Sequence, residues 1–246
     1  MIKGKIGVIV DIERVLSDPQ KDLFRSTCFG PWLDLPAIGH VDGDPMLVHA
    51  VLQTQVRDPA PTEAGIWFDV GGRQIRFARP EFCLVTGLRF GSDVHLLPWV
   101  SSMTGVPMRD RLFKGTRAGE AVKLSEVLFV FMGKEAGDED MVRMSLLLLL
   151  FLGFLGRQPH HNISDELLML VEDLARWNRF PWGSYIWQFT WTQLAGAIEK
   201  RRAELTRPNV RRYQDRKYTL TGFIYAFKVN ANFCAQLYII RMNLYD

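Results

Sequence analysis

The sequence predicts a mainly α fold with a small β hairpin, forming a compact helical domain around one central apolar helix. The residues of Met144–Leu155 (MSLLLLLFLGFL) are almost all apolar, and several other segments carry apolar residues at helical spacing. One further stretch, Ile66–Phe77, has two segments with the strand-like alternation of side chains, and two glycines separate them. A helix that is apolar on every side belongs in the middle of a core, and the alternating pair is typical of a hairpin.

The apolar run Met144–Leu155 is too short to cross a membrane. Arg143 and Arg157 bound it, and it falls well short of the about 20 residues that a spanning helix needs. The acidic stretch Asp138–Asp140 precedes it, where carboxylates stabilise a helix N-terminus. We therefore expect a buried core helix and no membrane association.

The predicted hairpin joins Ile66–Val70 to Arg73–Phe77 through Gly71-Gly72. Glycine readily adopts the two positive φ angles that a tight two-residue turn requires. A helix should follow directly, because Pro80 suits its first turn and Glu81 suits its positive end.

The remaining helices are predicted from apolar spacing, from proline and capping residues at their starts, and from breakers at their ends. One segment, Leu124–Met132, is apolar enough to be either a buried strand or a helix. The other expected helical segments are Pro19–Thr27, Pro45–Val56, Met108–Phe113, Ser164–Trp177, Thr192–Leu205 and Tyr218–Val229.

Composition indicates a globular protein that folds without disulfides or metal. The 246 residues are 48% hydrophobic and 23% charged, which is ordinary for such a chain. The number of cysteines is odd, and the three residues, Cys28, Cys83 and Cys234, are widely spaced. This pattern favours a reducing compartment and buried free thiols. The apolar run Ile6–Val10 is too short for a signal peptide, so we expect a protein that is not secreted.

No assembled catalytic, cofactor or metal site can be identified in the sequence. A cysteine nucleophile, Cys28 or Cys83, needs a histidine partner; His40 and His49 are candidates for Cys28, but nothing in the sequence shows that they lie close to it. The adjacent pair His160-His161 projects its rings in different directions and makes a poor metal site. We expect no enzyme, no cofactor and no small-molecule substrate, with a cysteine-dependent hydrolase as the least favoured alternative.

Aromatic residues are concentrated in the segment Trp177–Trp191, with Arg176 immediately before it and Arg179 near its start. Such a cluster is either the edge of a core with cation–π contacts or a platform on which nucleic-acid bases stack. The candidate platform residues are Trp177, Phe180 and Trp182.

The net charge of +3 is unevenly distributed, because residues 199–217 hold 8 basic and 3 acidic residues. A run of this kind is either a solvated face or linker, a contact for phosphates or acidic tails, or a nuclear import signal. Its candidate polyanion-binding residues are Lys200, Arg201, Arg202, Arg207, Arg211, Arg212, Arg216 and Lys217.

Four sequence blocks resemble one known family. They are Phe24–Leu35 (FRSTCFGPWLDL), Gly71–Leu88 (GGRQIRFARPEFCLVTGL), Asp173–Gly183 (DLARWNRFPWG) and Leu220–Val229 (LTGFIYAFKV). Together they are similar to a plant domain of unknown function that precedes ubiquitin-like (SUMO) cysteine-protease domains in proteins derived from Mutator-like transposons.

The resemblance implies a single domain over residues 1–229 and an atypical tail over residues 230–246, as in a C-terminally truncated or aberrant copy. The protease's own His, Asp and Cys motifs are not found in this sequence. The resemblance therefore implies a non-catalytic interaction module, nuclear or cytoplasmic, that binds a protein partner. Weak nucleic-acid binding through residues 200–217 is the alternative.

Overall fold

The computed structural model describes residues 3–35, 45–56, 65–92, 94–100, 105–113, 120–199 and 219–229. Within these ranges the chain is mainly helical with one small antiparallel sheet, which confirms the predicted fold class. The strands are β1 (Gln55–Val56), β2 (Ile66–Val70) and β3 (Arg73–Phe77). The helices are α1 (Val8–Val15), α2 (Asp18–Arg25), α3 (Pro45–Gln53), α4 (Arg79–Thr86), α5 (Leu97–Val100), α6 (Pro107–Leu112), α7 (Leu124–Gly133), α8 (Asp138–Leu148), α9 (Asp165–Glu172), α10 (Leu174–Arg179), α11 (Trp182–Ala195) and α12 (224–229).

Helix α8 is the central helix and continues directly into a π-helical turn over Leu149–Phe154. In that turn the Leu155 amide donates to the Leu150 carbonyl at 2.9 Å, five residues back. Every residue of Leu146–Leu152 is buried except Leu152, which is half-buried. The predicted core helix is confirmed, and the one exception lies at a surface groove described below.

The central helix is apolar on all sides because other helices surround it. Helices α2, α7 and α9 pack against α8, and α1 packs against the π-helical turn. The acidic residues Asp138, Glu139 and Asp140 occupy the first turn of α8, as predicted.

The hairpin has the predicted turn. Strands β2 and β3 pair antiparallel, with Val70 opposite Arg73, and Gly71 and Gly72 have φ angles of 60° and 77°. Phe68 and Phe77 point into the core and are fully buried, while the other side of the hairpin is exposed. The hairpin therefore attaches to the helices through one face.

Substituting Gly71 tests the turn. Because a β-branched residue resists positive φ, Gly71→Val should lower the free energy of unfolding by about 1–3 kcal/mol. Asparagine tolerates this conformation, so the matched variant Gly71→Asn should stay close to the unmodified protein. Urea denaturation of both variants measures the difference, and equal losses would contradict a left-handed turn.

The structure corrects several sequence-based boundaries and settles one ambiguous segment. Gln55–Val56 extends the sheet as β1 rather than α3, because it pairs with Trp67 and Phe68 of β2. The ambiguous segment Leu124–Met132 is helical. The helix expected over Ser164–Trp177 breaks at Asp173, whose carboxylate caps α10 by accepting from the Arg176 amide at 3.0 Å.

The last boundary is the start of α11. This helix begins at Trp182, ten residues before the predicted start at Thr192, and it ends at Ala195. The predicted end at Leu205 lies outside the described residues, and the final predicted helix is helical over residues 224–229.

Candidate protein-interaction site

A groove of about 920 Å³ lies between α1 and α7, above the central helix. Each wall presents residues at i, i+3 and i+4, which is one face of a helix. Leu148 and Leu152 of the central helix also line the groove. The wall residues are Val8, Asp11 and Ile12 of α1 and Leu128, Phe131 and Met132 of α7. The groove is thus a mostly apolar channel between two helices.

Helix α7 exposes large apolar side chains beside this groove. Phe129 is 82% exposed and Met132 is 53% exposed, and the two lie three residues apart on the helix surface. Met132 belongs both to the groove wall and to this exposed patch. The apolar surface therefore continues from the groove onto the outer side of α7.

Two lysines line the groove at the end where α1 begins. Backbone hydrogen bonds fix them there: the Lys3 amide donates to the Leu220 carbonyl, and the Lys5 amide to the Leu152 carbonyl, both at 3.0 Å. The Leu152 carbonyl lies within the π-helical turn, so the irregular end of the central helix positions Lys5.

Arg157 is the third cation of the groove. Gly156 has a φ of 63° and turns the chain out of the central helix, and the Arg157 amide then donates to the Phe151 carbonyl at 2.7 Å. The guanidinium carbon lies 4.4 Å from the centre of the Phe189 ring, a cation–π contact. Burial lowers the pKa of Arg157 from its ordinary value, although it stays protonated at neutral pH.

Positive charge at this end of the groove is not neutralised. Within the described part of the chain, Lys3, Lys5 and Arg157 form no ion pair, and Lys3 contacts only the Gln158 side-chain oxygen at 3.5 Å. The one acidic residue lining the groove, Asp11, is paired with Arg14 at 3.4 Å. We name residues Lys3, Lys5 and Arg157 the basic end of the groove.

A second groove, of about 870 Å³, lies between β3 and α4. Its lining includes Ile75 and Leu84, which is 86% exposed, and an ion pair between Arg76 and Glu81 at 3.0 Å. The described part of its wall ends at Leu35 and Val229. Its apolar lining and its paired charges show no electrostatic preference for an occupant.

A cluster of charged residues joins α6, α8 and α9 elsewhere on the molecule. Arg111 contacts Asp140 at 2.6 Å and Glu172 at 3.1 Å, while Arg143 contacts Asp140 at 2.8 Å and Glu139 at 2.7 Å. Burial opposes ionisation of Asp140, but hydrogen bonds from Arg111 and Arg143 outweigh it, so the pKa of Asp140 lies below its ordinary value. Since each carboxylate is held by an arginine, the cluster is suited to joining helices rather than to accepting protons.

Comparison with known families shows which family the chain belongs to. The model of a family described as Domain of unknown function (DUF1985) matches residues 53–193, which is more than half of the sequence. The chain belongs to the DUF1985 family. In the other two comparisons, no curated protein and no solved structure matched it.

The DUF1985 match covers only part of the groove. Helix α7, the central helix and Arg157 lie inside the matched residues, whereas α1, Lys3 and Lys5 precede them. The wall with the exposed apolar patch is thus part of the DUF1985 segment, and the other wall is supplied by the preceding residues.

Of the two interpretations of the aromatic cluster in this DUF1985 protein, burial of its candidate residues supports the core and contradicts the platform. Trp177, Phe180 and Trp182 are all buried, and the Trp182 ring lies 4.2 Å from Trp177 and 4.5 Å from Phe180. The Trp182 indole N–H donates to the Trp177 carbonyl at 2.8 Å. Because the rings pack against each other inside the core, they present no face on which a base could stack.

The two described cysteines differ from each other. Burial raises the pKa of the Cys28 thiol to about 12, so it stays protonated and unreactive at neutral pH. Cys83 is exposed, which corrects the expectation that both thiols are buried. Cys234 and residues Lys200–Lys217 lie outside the described residues.

The described residues contain no group of three or more His, Cys, Asp or Glu side chains arranged to hold a metal ion. No helix among them has the length and apolar character needed to cross a membrane.

Proposed function

We propose that this DUF1985 domain is a non-catalytic module that binds a protein partner in the groove between α1 and α7. The observation that carries the proposal is the exposure of Phe129 and Met132 beside an apolar groove. Large exposed apolar patches on soluble domains mark interaction sites, and aromatic and methionine side chains are enriched in protein interfaces.

The described chemistry supports binding better than catalysis. The Cys28 thiol is held protonated by burial, and the carboxylates Asp140 and Glu172 are held by arginines. A protonated thiol and carboxylates paired with arginines are not activated in the way that a hydrolytic nucleophile or general base is, so these three described groups favour the binding role.

The sequence resemblance supplies the setting of the proposal. In plant proteins derived from Mutator-like transposons, domains of this kind precede a ubiquitin-like (SUMO) cysteine-protease domain. A binding module in that position would hold a substrate or adaptor near the protease. For such a role we expect the domain to act in the nucleus or the cytoplasm.

A displayed library of random 16-residue peptides, panned on the full 246-residue chain, tests the proposal. Binders should be enriched, and Met132→Asp should weaken them about tenfold or more because it places a charge in the apolar wall. Met132 is more than half exposed, so the variant should remain folded, which circular dichroism and thermal melting can verify.

Leu84→Asp is the matched control, since it places the same charge beside the second groove. The proposal predicts that the selected peptides still bind this variant. Loss of binding with Leu84→Asp instead would move the site to the second groove, and the absence of any enriched binder would contradict an interaction module.

Nucleic-acid binding through residues 200–217 is the second candidate function, favoured by the 8 basic residues of that segment. If it holds, the full chain should bind DNA or RNA weakly, with little sequence preference and with affinity that falls steeply as salt rises. The absence of binding at low salt, where electrostatic attraction is strongest, would reject this candidate and leave the groove proposal unaffected.

A further inference from the structure

We infer that the groove between α1 and α7 binds an amphipathic α-helix of the partner, with acidic residues at the end that meets Lys3, Lys5 and Arg157. The inference rests on the proposed function, because it names the chemistry of the segment that the interaction module would hold. Two independent properties of the groove lead to it: its shape and its uncompensated charge.

The shape of the groove fits a helix. Its walls are helices α1 and α7, of 8 and 10 residues, so the channel is roughly 12–15 Å long. Both walls present a row at i, i+3 and i+4, and the central helix lies beneath them. A third helix packing its own apolar row between two such rows is the helix-in-groove mode of recognition.

The charge of the groove determines which charged residues the partner helix should carry at this end. Within the described residues the three cations of the basic end have no ion pair, and the buried Nε of Arg157 has no hydrogen-bond partner. Helix α7 also starts at this end, because the Ser125 amide donates to the carbonyl of the lining residue Pro159 at 2.8 Å. Both features favour carboxylates on the partner and the negative C-terminal end of its helix.

The basic end is prepared for such an interaction before binding. Backbone hydrogen bonds hold the chain at Lys3, Lys5 and Arg157, and Phe189 supports the Arg157 guanidinium from one side. Less conformational freedom is lost on binding when a side chain is already held in place, so an ion pair made by Arg157 should retain more of its favourable energy.

Other anionic ligands fit less well. A nucleic-acid strand needs cations spaced along its phosphates, whereas the cations here are gathered at one end and the rest of the groove is mostly apolar. A long-chain carboxylate would match one apolar channel and one basic end, but it would leave Phe129 on the outer side of α7 uncovered. A helix, about 10 Å wide with its side chains, is broad enough to cover both surfaces.

The peptides enriched from the displayed library give the first test. They should show apolar residues at i, i+3 or i+4 and i+7 together with Asp or Glu at one end. The best binder is then synthesised with its acidic residues intact, replaced by amides, and replaced by lysines. Fluorescence anisotropy on the full chain should give affinities that fall by about three- to tenfold with the amides and further with the lysines.

Charge reversal on the protein gives the second test. Lys5→Glu should weaken the acidic peptide by about three- to tenfold and strengthen the lysine peptide, because the sign of the contact is exchanged. Arg89→Glu is the matched control, since Arg89 is exposed and lies outside the groove, and the same change of charge there should alter neither affinity.

The outcomes separate the inference from the proposed function. Binders that depend on Met132 but are basic, neutral or extended would overturn the acidic helix while leaving the interaction module in place. Oleate or a single-stranded oligonucleotide that binds in a Met132-dependent way, without any peptide binder, would overturn both. Acidic helical binders that respond to Lys5→Glu and not to Arg89→Glu would establish the inference.

Discussion

Replacing Leu147 with aspartate should abolish folding of the domain. Leu147 is fully buried in α8 and, unlike Leu148, does not line the groove between α1 and α7. Truncating a buried leucine costs about 2–5 kcal/mol, and burying a polar group without a partner costs a further 2–7 kcal/mol or so. Their sum is comparable with the roughly 5–15 kcal/mol that stabilises a domain of this kind.

Two control variants separate this effect from a general sensitivity to substitution. Leu147→Met keeps the volume and apolar character of the side chain and should cost less than about 1.5 kcal/mol. Leu84→Asp introduces the same carboxylate at an 86% exposed position and should leave the protein folded. Circular dichroism and thermal melting of the three purified variants provide the measurement, and a cooperatively melting Leu147→Asp protein would contradict the central position of α8.

The parts of the fold that the sequence predicts are those in which local pattern and tertiary packing agree. The run Met144–Leu155 is apolar on every side because helices surround it, and Gly71-Gly72 has the positive φ angles that only a few residue types tolerate. Each of these patterns is consistent with one local structure, a buried helix in the first case and a tight turn in the second, so each could be interpreted from the sequence.

Boundaries set by distant contacts could not be predicted in this way. Gln55–Val56 continues a helical pattern, but β2 offers it strand partners that lie more than ten residues away along the chain. The π-helical turn could not be predicted from the sequence either, because Leu149–Phe154 continues the apolar run in which α8 ends. Tertiary context decides both cases.

The candidate site was hidden for a related reason. Helix α7 has more apolar residues than one buried stripe requires, which is why Leu124–Met132 was ambiguous between strand and helix. The excess residues include Phe129 and Met132, which are exposed beside the groove. An apolar surplus on a helix is therefore a sequence signal for a contact surface, but the basic end, assembled from Lys3, Lys5 and Arg157, requires the fold.

Substituting Asp140, which lies where α6, α8 and α9 meet, should cause the second large loss of stability. Its carboxylate accepts hydrogen bonds from Arg111 at 2.6 and 2.7 Å and from Arg143 at 2.8 Å. Asp140→Asn keeps the size of the side chain but leaves both guanidinium groups without this counter-charge. Breaking a fully buried pair costs about 3–5 kcal/mol, and because Arg111 is 42% exposed we expect a smaller loss of about 2–3 kcal/mol at pH 7.

The loss should depend on pH in a defined direction. Because the pKa of Asp140 is lower in the folded protein than its ordinary value, the carboxylate stabilises the fold above the unfolded-state pKa of about 3.9. That stabilisation disappears as the pH falls through the lower, folded-state pKa. Urea denaturation should therefore show a constant gap between the unmodified protein and Asp140→Asn above about pH 5 and a gap that closes toward pH 3.

Glu139→Gln is the matched control for this pH dependence, because it makes the same change of charge one residue earlier in the same helical turn. The Glu139 side chain is 68% exposed and pairs with Arg143 at the surface, where such a pair contributes less than about 1 kcal/mol. A Glu139→Gln loss equal to that of Asp140→Asn would attribute the effect to charge at the start of α8 alone. A large gap confined to Asp140→Asn, closing at low pH, would instead assign it to the arginine pair that ties α6 to the central helix.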